Sequence, residues 1–168
     1  YVNALIAEKL PGDPTYVKIT EPKERGTSLE DEARAMYQLI EEVDVRQVDF
    51  IKHPNMEVGC SPDGLIDVKC DRGLIGGLEI KCPLQGTHVE YLRAGKVPSK
   101  YMLQVQGCMF VTGRGYWDFM SYHPKMKPLI VRTYRDDDLI NELATNLQEA
   151  VLLIEDGVDK FNWNGLFS

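Results

Sequence analysis

Asp63, Glu79 and Lys81 are the residues whose types and spacing suggest chemistry. They lie in Ser61-Pro62-Asp63-Gly64-Leu65 and in Gly77-Leu78-Glu79-Ile80-Lys81-Cys82-Pro83. In a strand, successive side chains alternate between faces. Leu78 and Ile80 then point into a core, while Glu79 and Lys81 lie side by side on the other face. If the neighbouring strand of a hairpin starts at Asp63, two carboxylates and a lysine meet on the rim of a sheet. Mg²⁺ prefers a few hard oxygen ligands and keeps waters for the rest of its octahedron. It acidifies a bound water and stabilises charge on a phosphoryl oxygen. A lysine beside it can orient the attacking water and lend positive charge. The backbone carbonyl of Ile80, between the two side chains, is a candidate further ligand. The expected chemistry is metal-assisted phosphodiester hydrolysis, with Mg²⁺ as the ion and Mn²⁺ as its substitute.

The elements that must position these residues are legible in outline. Gly64 to Val68 and Gly77 to Lys81 read as a β-hairpin, with Asp71-Arg72-Gly73 and Gly76 supplying turn chemistry. Leu29, Ala33, Met36, Tyr37 and Ile40 form a helical stripe. Gly26 marks its entry, and Thr27 with Glu30 is spaced as a capping box. Tyr1 to Leu10 reads as a helix, Pro11 to Arg25 as a loop or weak strand, and Val48 to Ile51 as a strand. Thr87 to Ala94 and Ser99 to Val111 read as helices, the second ended by Gly113. Gly115 to Tyr122 and Leu129 to Tyr134 read as strands. Asp136 to Asp156 reads as a long C-terminal helix with acidic residues at the positive end of its dipole. The expectation is one α/β domain over residues 1–168, a mixed sheet flanked by helices.

Composition bounds the reading. Of 168 residues, 43% are hydrophobic and 27% charged, ordinary globular usage that argues against a disordered or fibrous chain. No apolar run is long enough to span a membrane. No signal peptide is visible at the start, and the first residue is Tyr1, so the N-terminus is expected to be processed or truncated. The net charge of −7 speaks against a general nucleic-acid binder. It does not speak against a nuclease, whose metal site is itself acidic. The four cysteines, Cys60, Cys70, Cys82 and Cys108, have no CxxC spacing. Free thiols in a reducing compartment are the expectation, with a cluster on distant cysteines as the alternative.

Asp63 followed by Glu79-Ile80-Lys81 resembles the PD-(D/E)xK nuclease motif, down to Pro62 before the aspartate. The flanking residues sharpen it. Ser-Pro-Asp-Gly-Leu, Leu-Glu-Ile-Lys-Cys-Pro, Tyr101-Met102-Leu103-Gln104-Val105-Gln106-Gly107-Cys108-Met109, Thr112-Gly113 and Trp117-Asp118-Phe119 together resemble the phage lambda exonuclease, or YqaJ-like viral recombinase, family. Gly26 to Arg34 is similar to that family's earlier helix motif. The resemblance runs from about Gly26 to Tyr122. It implies a restriction-endonuclease-like PD-(D/E)xK core and a Mg²⁺-dependent exonuclease on linear double-stranded DNA. Such an enzyme digests from 5′ ends and leaves 3′ single-stranded tails for an annealing partner. A ring-shaped homotrimer is among the assemblies implied, and the setting is phage or prophage recombination in a bacterial cytoplasm. Asp63 and Glu79 would be metal ligands and Lys81 the catalytic lysine. Glu30 would reach the metal shell from its helix, and Gln104 would support the lysine or the substrate phosphate. The family's arginine for the 5′ phosphate, from a more N-terminal helix, has no match here.

Each residue has a blander reading. Pro-Asp-Gly is a common turn sequence, which alone explains Asp63. Glu79 and Lys81 could form a solvated strand face. A capping box, or an i,i+4 pair with Arg34, explains Glu30. Gln104 and Gln106 need hydrogen-bond partners if buried. Tyr101 reads as core or support, and Trp117 and Phe119 as strand packing. Arg93, Lys96 and Lys100, with Arg114 beyond the next helix, suggest a phosphate track to the site, against solubility alone. The rivals in function are an endonuclease or resolvase-like enzyme on the same core, and a DNA-binding subunit that loads a recombinase without catalysis.

Overall fold

The computed structural model describes residues 2–10 and 21–162. The chain divides into two compact units, one formed by Tyr1–Lys18 with Asn141–Ser168 and the other by Ile19–Ile140. The described elements are α1 (Val2–Lys9), α2 (Glu21–Glu41), β1 (Ile51–Lys52), β2 (Gly59–Cys60), β3 (Gly64–Ile66) and β4 (Gly76–Lys81). They continue with α3 (Gln85–Ala94), α4 (Ser99–Thr112), β5 (Tyr116–Ser121), β6 (Leu129–Tyr134) and α5 (Asp137–Phe161). In the first unit Ile6 of α1 is buried, and a Cβ added at Gly157 of α5 would lie 2.3 Å from its Cδ1.

The larger unit is built on a mixed sheet of order β3-β4-β5-β6. β3 and β4 form the expected antiparallel hairpin, with Gly64 opposite Leu78 and Leu65 opposite Gly77. β4 and β5 are parallel, with Leu78 opposite Asp118 and Lys81 opposite Ser121. A parallel pair needs a long crossover, which α3 and α4 supply. β5 and β6 close the sheet as an antiparallel pair.

Strand alternation sorts the core into two faces. Leu78, Ile80, Tyr116, Met120 and Tyr122 pack with Ala33 and Tyr37 of α2. Trp117 lies on the opposite face, with Leu65 and with Val105, Cys108 and Met109 of α4. Phe119 joins Tyr91 and Val97 on that second face. Gly77 permits this packing, because a Cβ there would lie 2.4 Å from the Trp117 ring. Asp118 is fully buried on the α2 face, where it accepts from Tyr37 Oη at 2.5 Å and from Arg132 at 2.7 and 2.8 Å.

Several expectations need correction. α2 starts at Glu21, six residues before the expected capping box, so Thr27 lies inside the helix. Pro22 explains the earlier start, since a first-turn residue has no intrahelical use for its N–H. Of the stretch read as loop or weak strand, residues 11–20 lie outside the described residues and residues 21–25 belong to α2. The strand read at Val48 to Ile51 is shorter and later, Ile51–Lys52, and pairs with Gly59–Cys60 in a separate two-stranded sheet. Ile40 is 45% exposed, so the buried stripe of α2 ends at Tyr37. The helix read as ending at Asp156 continues to Phe161.

Candidate active site

Glu79 sits at the centre of the site. β4 carries it onto the face that α4 covers, and it is 1% exposed. Its Oε1 accepts hydrogen bonds from Lys81 Nζ and, at 2.7 Å, from Gln104 Nε2. Its Oε2 is buried and has no hydrogen-bond partner among the described residues. Burial, then the charge of Asp63, pushes the Glu79 carboxyl up to about 7, against the pull of Lys81 and Gln104. Burial works against the Lys81 ammonium, yet Glu79 and Asp63 outweigh it and hold its pKa above the ordinary lysine value. The Lys81 ammonium also lies 5.3 Å from the Tyr101 ring, which stacks on Phe119 at 5.4 Å.

Asp63 enters from the residue just before β3. One step past the Gly64–Leu78 pair, the antiparallel register sets it against Glu79. Its Oδ2 accepts the Ile80 N–H at 2.6 Å, and its backbone carbonyl accepts Arg34 Nε at 3.0 Å. The Pro-Asp-Gly turn is thus tied both to β4 and to α2. Glu30, also on α2, pairs with Arg34 Nη2 at 3.1 Å and lies close enough to Asp63 for the two carboxyls to act on each other. Burial and the Asp63 charge raise the Glu30 carboxyl above its usual range. The structure therefore brings Glu30, Asp63, Glu79, Ile80, Lys81 and Gln104 to one place from α2, β4, α4 and the turn before β3. A cavity of about 350 Å³ opens beside Glu30, Arg34, Gln47 and Asp63.

The donor set fits a hard divalent cation. An orphaned, buried carboxylate oxygen on Glu79 sits close enough to Asp63 for the two charges to disfavour each other. A cation between such groups relieves both burial and repulsion. Among the described residues no three His, Cys, Asp or Glu side chains form a ready cage. Mg²⁺ is commonly held by one or two carboxylates and keeps several waters. Asp63 and Glu79 would hold the ion, with the Ile80 carbonyl as the further oxygen and Glu30 near its outer shell.

Not every expected residue joins. Arg93, Lys96 and Lys100 are exposed, with the Lys100 ammonium 4.9 Å from the Tyr101 ring. Arg114 is 6% exposed and leaves the expected track. Its guanidinium donates to the carbonyls of Ile66 and Gly76 at 2.9 and 2.8 Å and to Asp67 at 2.5 Å. A side chain so committed braces the end of the β3–β4 hairpin. Gln106 is structural too, donating to the Tyr134 carbonyl and accepting from the Asp136 N–H, both at 3.0 Å. His88 is fully buried between Ser121 Oγ at 2.8 Å and the Lys127 carbonyl at 3.0 Å. The four cysteines are free thiols. The contribution of Arg34 is visible in the sequence only as an i,i+4 partner of Glu30; its reach to Asp63, 29 residues away, is not.

No described helix is long and apolar enough to cross a membrane. No curated protein matches the chain. The structure is similar to that of an alkaline exonuclease, LHK-Exo, from Laribacter hongkongensis. The TM-score is 0.87 at 33% identity, covering 99% of this chain and 84% of that one. The same enzyme in complex with dAMP gives a TM-score of 0.88 over the same shares, again at 33% identity. A phage-related exonuclease from Haemophilus somnus 129PT shares the fold, at a TM-score of 0.63 and 16% identity over 95% of this chain and 79% of that one. The YqaJ-like viral recombinase domain matches residues 4–115. By sequence and by fold, the chain belongs to the YqaJ-like viral recombinase family.

Proposed function

We propose that the chain is a Mg²⁺-dependent exodeoxyribonuclease. It degrades linear double-stranded DNA from 5′ ends and leaves 3′ single-stranded tails for an annealing partner in recombination. Family membership and the likeness to an alkaline exonuclease support a nuclease role. The observation that carries the finer reading is the Asp63–Glu79–Lys81 constellation around the unpartnered Glu79 oxygen. Residues 1–168 form one nuclease domain in this reading, and its working form is a homo-oligomer, a ring trimer being the arrangement that encloses a duplex.

When bound, Mg²⁺ supplies Lewis acidity, which acidifies a water and stabilises charge on the phosphoryl oxygens. The Ile80 N–H fixes Asp63 Oδ2, so the other carboxylate oxygen would be the one to meet the ion. Gln104 and Lys81 both hold Glu79 Oε1, so the unpartnered Oε2 would be the oxygen that meets the ion. Lys81 carries a firm positive charge, suited to orienting the attacking water and to balancing charge on the scissile phosphate. Water adds to phosphorus in line, the bond to the leaving oxygen breaks, and a mononucleotide departs. The cavity beside Asp63 gives room for that nucleotide unit. Arg93, Lys96 and Lys100 supply phosphate contacts along the approach.

Direction is tested with a duplex labelled at either end of one strand. Rapid release of a 5′ label as mononucleotide, with the 3′ label retained on shortening strands, supports the reading. Early release of the 3′ label overturns the direction, and cleavage that survives a chelator overturns the metal requirement.

A further inference from the structure

We infer that Arg34 is a positioning residue that sets the metal affinity of the site by locking Glu30 and the Asp63 turn into one arrangement. This rests on the metal-dependent reading above and extends it to a side chain outside the ligand set. Arg34 is 7% exposed, so its charge is buried beside the site. Nε donates to the Asp63 carbonyl at 3.0 Å. Nη1 donates to Asp31 Oδ1 at 2.6 Å and Nη2 to Glu30 Oε1 at 3.1 Å. With its amide oxygen turned to the guanidinium, Gln47 accepts from Nη1 at 2.6 Å and from Nη2 at 3.3 Å. Both edges of the planar fork are occupied by groups of this chain. Nε, Nη1 and Nη2 are each engaged by a group of this chain, so Arg34 acts through what it holds.

What it holds is specific. The Asp63 carbonyl contact fixes the turn whose carboxylate faces Glu79. The Glu30 contact fixes one oxygen of the acid whose carboxyl lies beside Asp63. A rigid guanidinium can make these contacts at set angles from one side chain, which a lysine ammonium cannot.

Coulomb's law and positioning predict opposite signs. As a bare positive charge near the ion, Arg34 repels it, so its removal should tighten cation binding. As a positioning residue it preorganises the ligands, and groups that orient metal ligands typically matter by about 10- to 100-fold in affinity. We expect positioning to win.

The test is direct Mn²⁺ binding to the full chain, without DNA, read by electron paramagnetic resonance of the free ion. Wild type, Arg34→Met and Arg34→Lys are compared, with circular dichroism to establish that each is folded. The expected result is a roughly 10- to 100-fold weaker affinity in Arg34→Met and an intermediate loss in Arg34→Lys, which keeps the charge and loses the fork. A folded Arg34→Met that binds as wild type or tighter overturns the inference, since a merely structural arginine would lower stability without weakening the folded site. If Arg34→Met does not fold, Arg34→Lys decides: a loss of about fivefold or more supports the inference, and a smaller change overturns it. Failure of the wild type itself to bind Mn²⁺ overturns the metal-dependent reading and this inference together. Wild-type binding with unchanged variants overturns this inference alone.

Discussion

Replacing Glu79 by glutamine should stabilise the metal-free protein while disabling it. The change keeps the shape of the side chain and removes its charge. In the folded chain the carboxyl is 1% exposed, one oxygen has no partner, and burial with the Asp63 charge raises its pKa from 4.5 to about 7. Between those two values the folded state binds more protons than the unfolded state, so stability falls as pH rises. At about 1.4 kcal/mol per pH unit of difference, ionising Glu79 costs the metal-free fold roughly 1 kcal/mol at pH 5 and roughly 3 kcal/mol at pH 8. Glutamine has no charge to bury. In the presence of a chelator Glu79→Gln should therefore exceed wild type by up to about 3 kcal/mol at pH 8, roughly 6–12 °C in melting temperature for a chain of this size. The figure is an upper bound, because Lys81 loses one partner and keeps only the Asp63 charge. Mg²⁺ should reverse the order, since binding to the folded state alone stabilises wild type by mass action and Glu79→Gln hardly at all. Unfolding curves at pH 5 and pH 8, each with chelator and with Mg²⁺, read all four conditions. A Glu79→Gln protein less stable than wild type in chelator at pH 8 would refute the reasoning, as would an order that Mg²⁺ leaves unchanged.

Three further outcomes are expected. Gln104→Ala frees Glu79 Oε1 from one of its two donors, and should lower the cleavage rate by about 10- to 100-fold with the fold intact, measured under saturating Mg²⁺. Asp118→Asn weakens the bonds that a fully buried carboxylate makes with Tyr37 and with the partly exposed Arg132, and should cost about 2 kcal/mol in urea unfolding while leaving cleavage per folded molecule unchanged. Neutralising Arg93, Lys96 and Lys100 together should weaken DNA binding and reduce the slope of log affinity against log salt by about 0.9 for each phosphate no longer neutralised; Arg114→Met, by contrast, should lower stability and leave that slope as it is, because its guanidinium is spent on Ile66, Gly76 and Asp67.

The grouping of Asp63, Glu79 and Lys81 was legible because strand alternation is a local rule. Leu78 and Ile80 go to the α2 face and Glu79 and Lys81 to the other, as the period of two requires. The hairpin register then brings Asp63 to Glu79 with no further information. Gly113 ends α4 in the left-handed region at φ 69°, as a glycine there suggests. What escaped depends on tertiary contact. Thr27 and Glu30 have capping-box spacing, yet the helix runs through them from Glu21, because local cap chemistry does not exclude an earlier start. Arg114 looked like a surface cation beyond α4. Three acceptors brought in by the β3–β4 hairpin bury it, and no local pattern announces them. The two-residue strands β1 and β2 are too short to carry a periodic signal. The reach of Arg34 to the Asp63 carbonyl likewise exists only once α2 lies against the hairpin.

The central claim is that Asp63, Glu79 and Lys81 form a metal-dependent nuclease site that acts on DNA ends. The most direct measurement incubates wild type and Lys81→Ala with Mg²⁺ and two substrates, a linear duplex and a covalently closed circle of the same sequence. The account predicts loss of one strand from the linear duplex alone, with no digestion by the variant despite retained DNA binding. Nicking of the circle, or digestion of the linear duplex by Lys81→Ala at the wild-type rate, would contradict it.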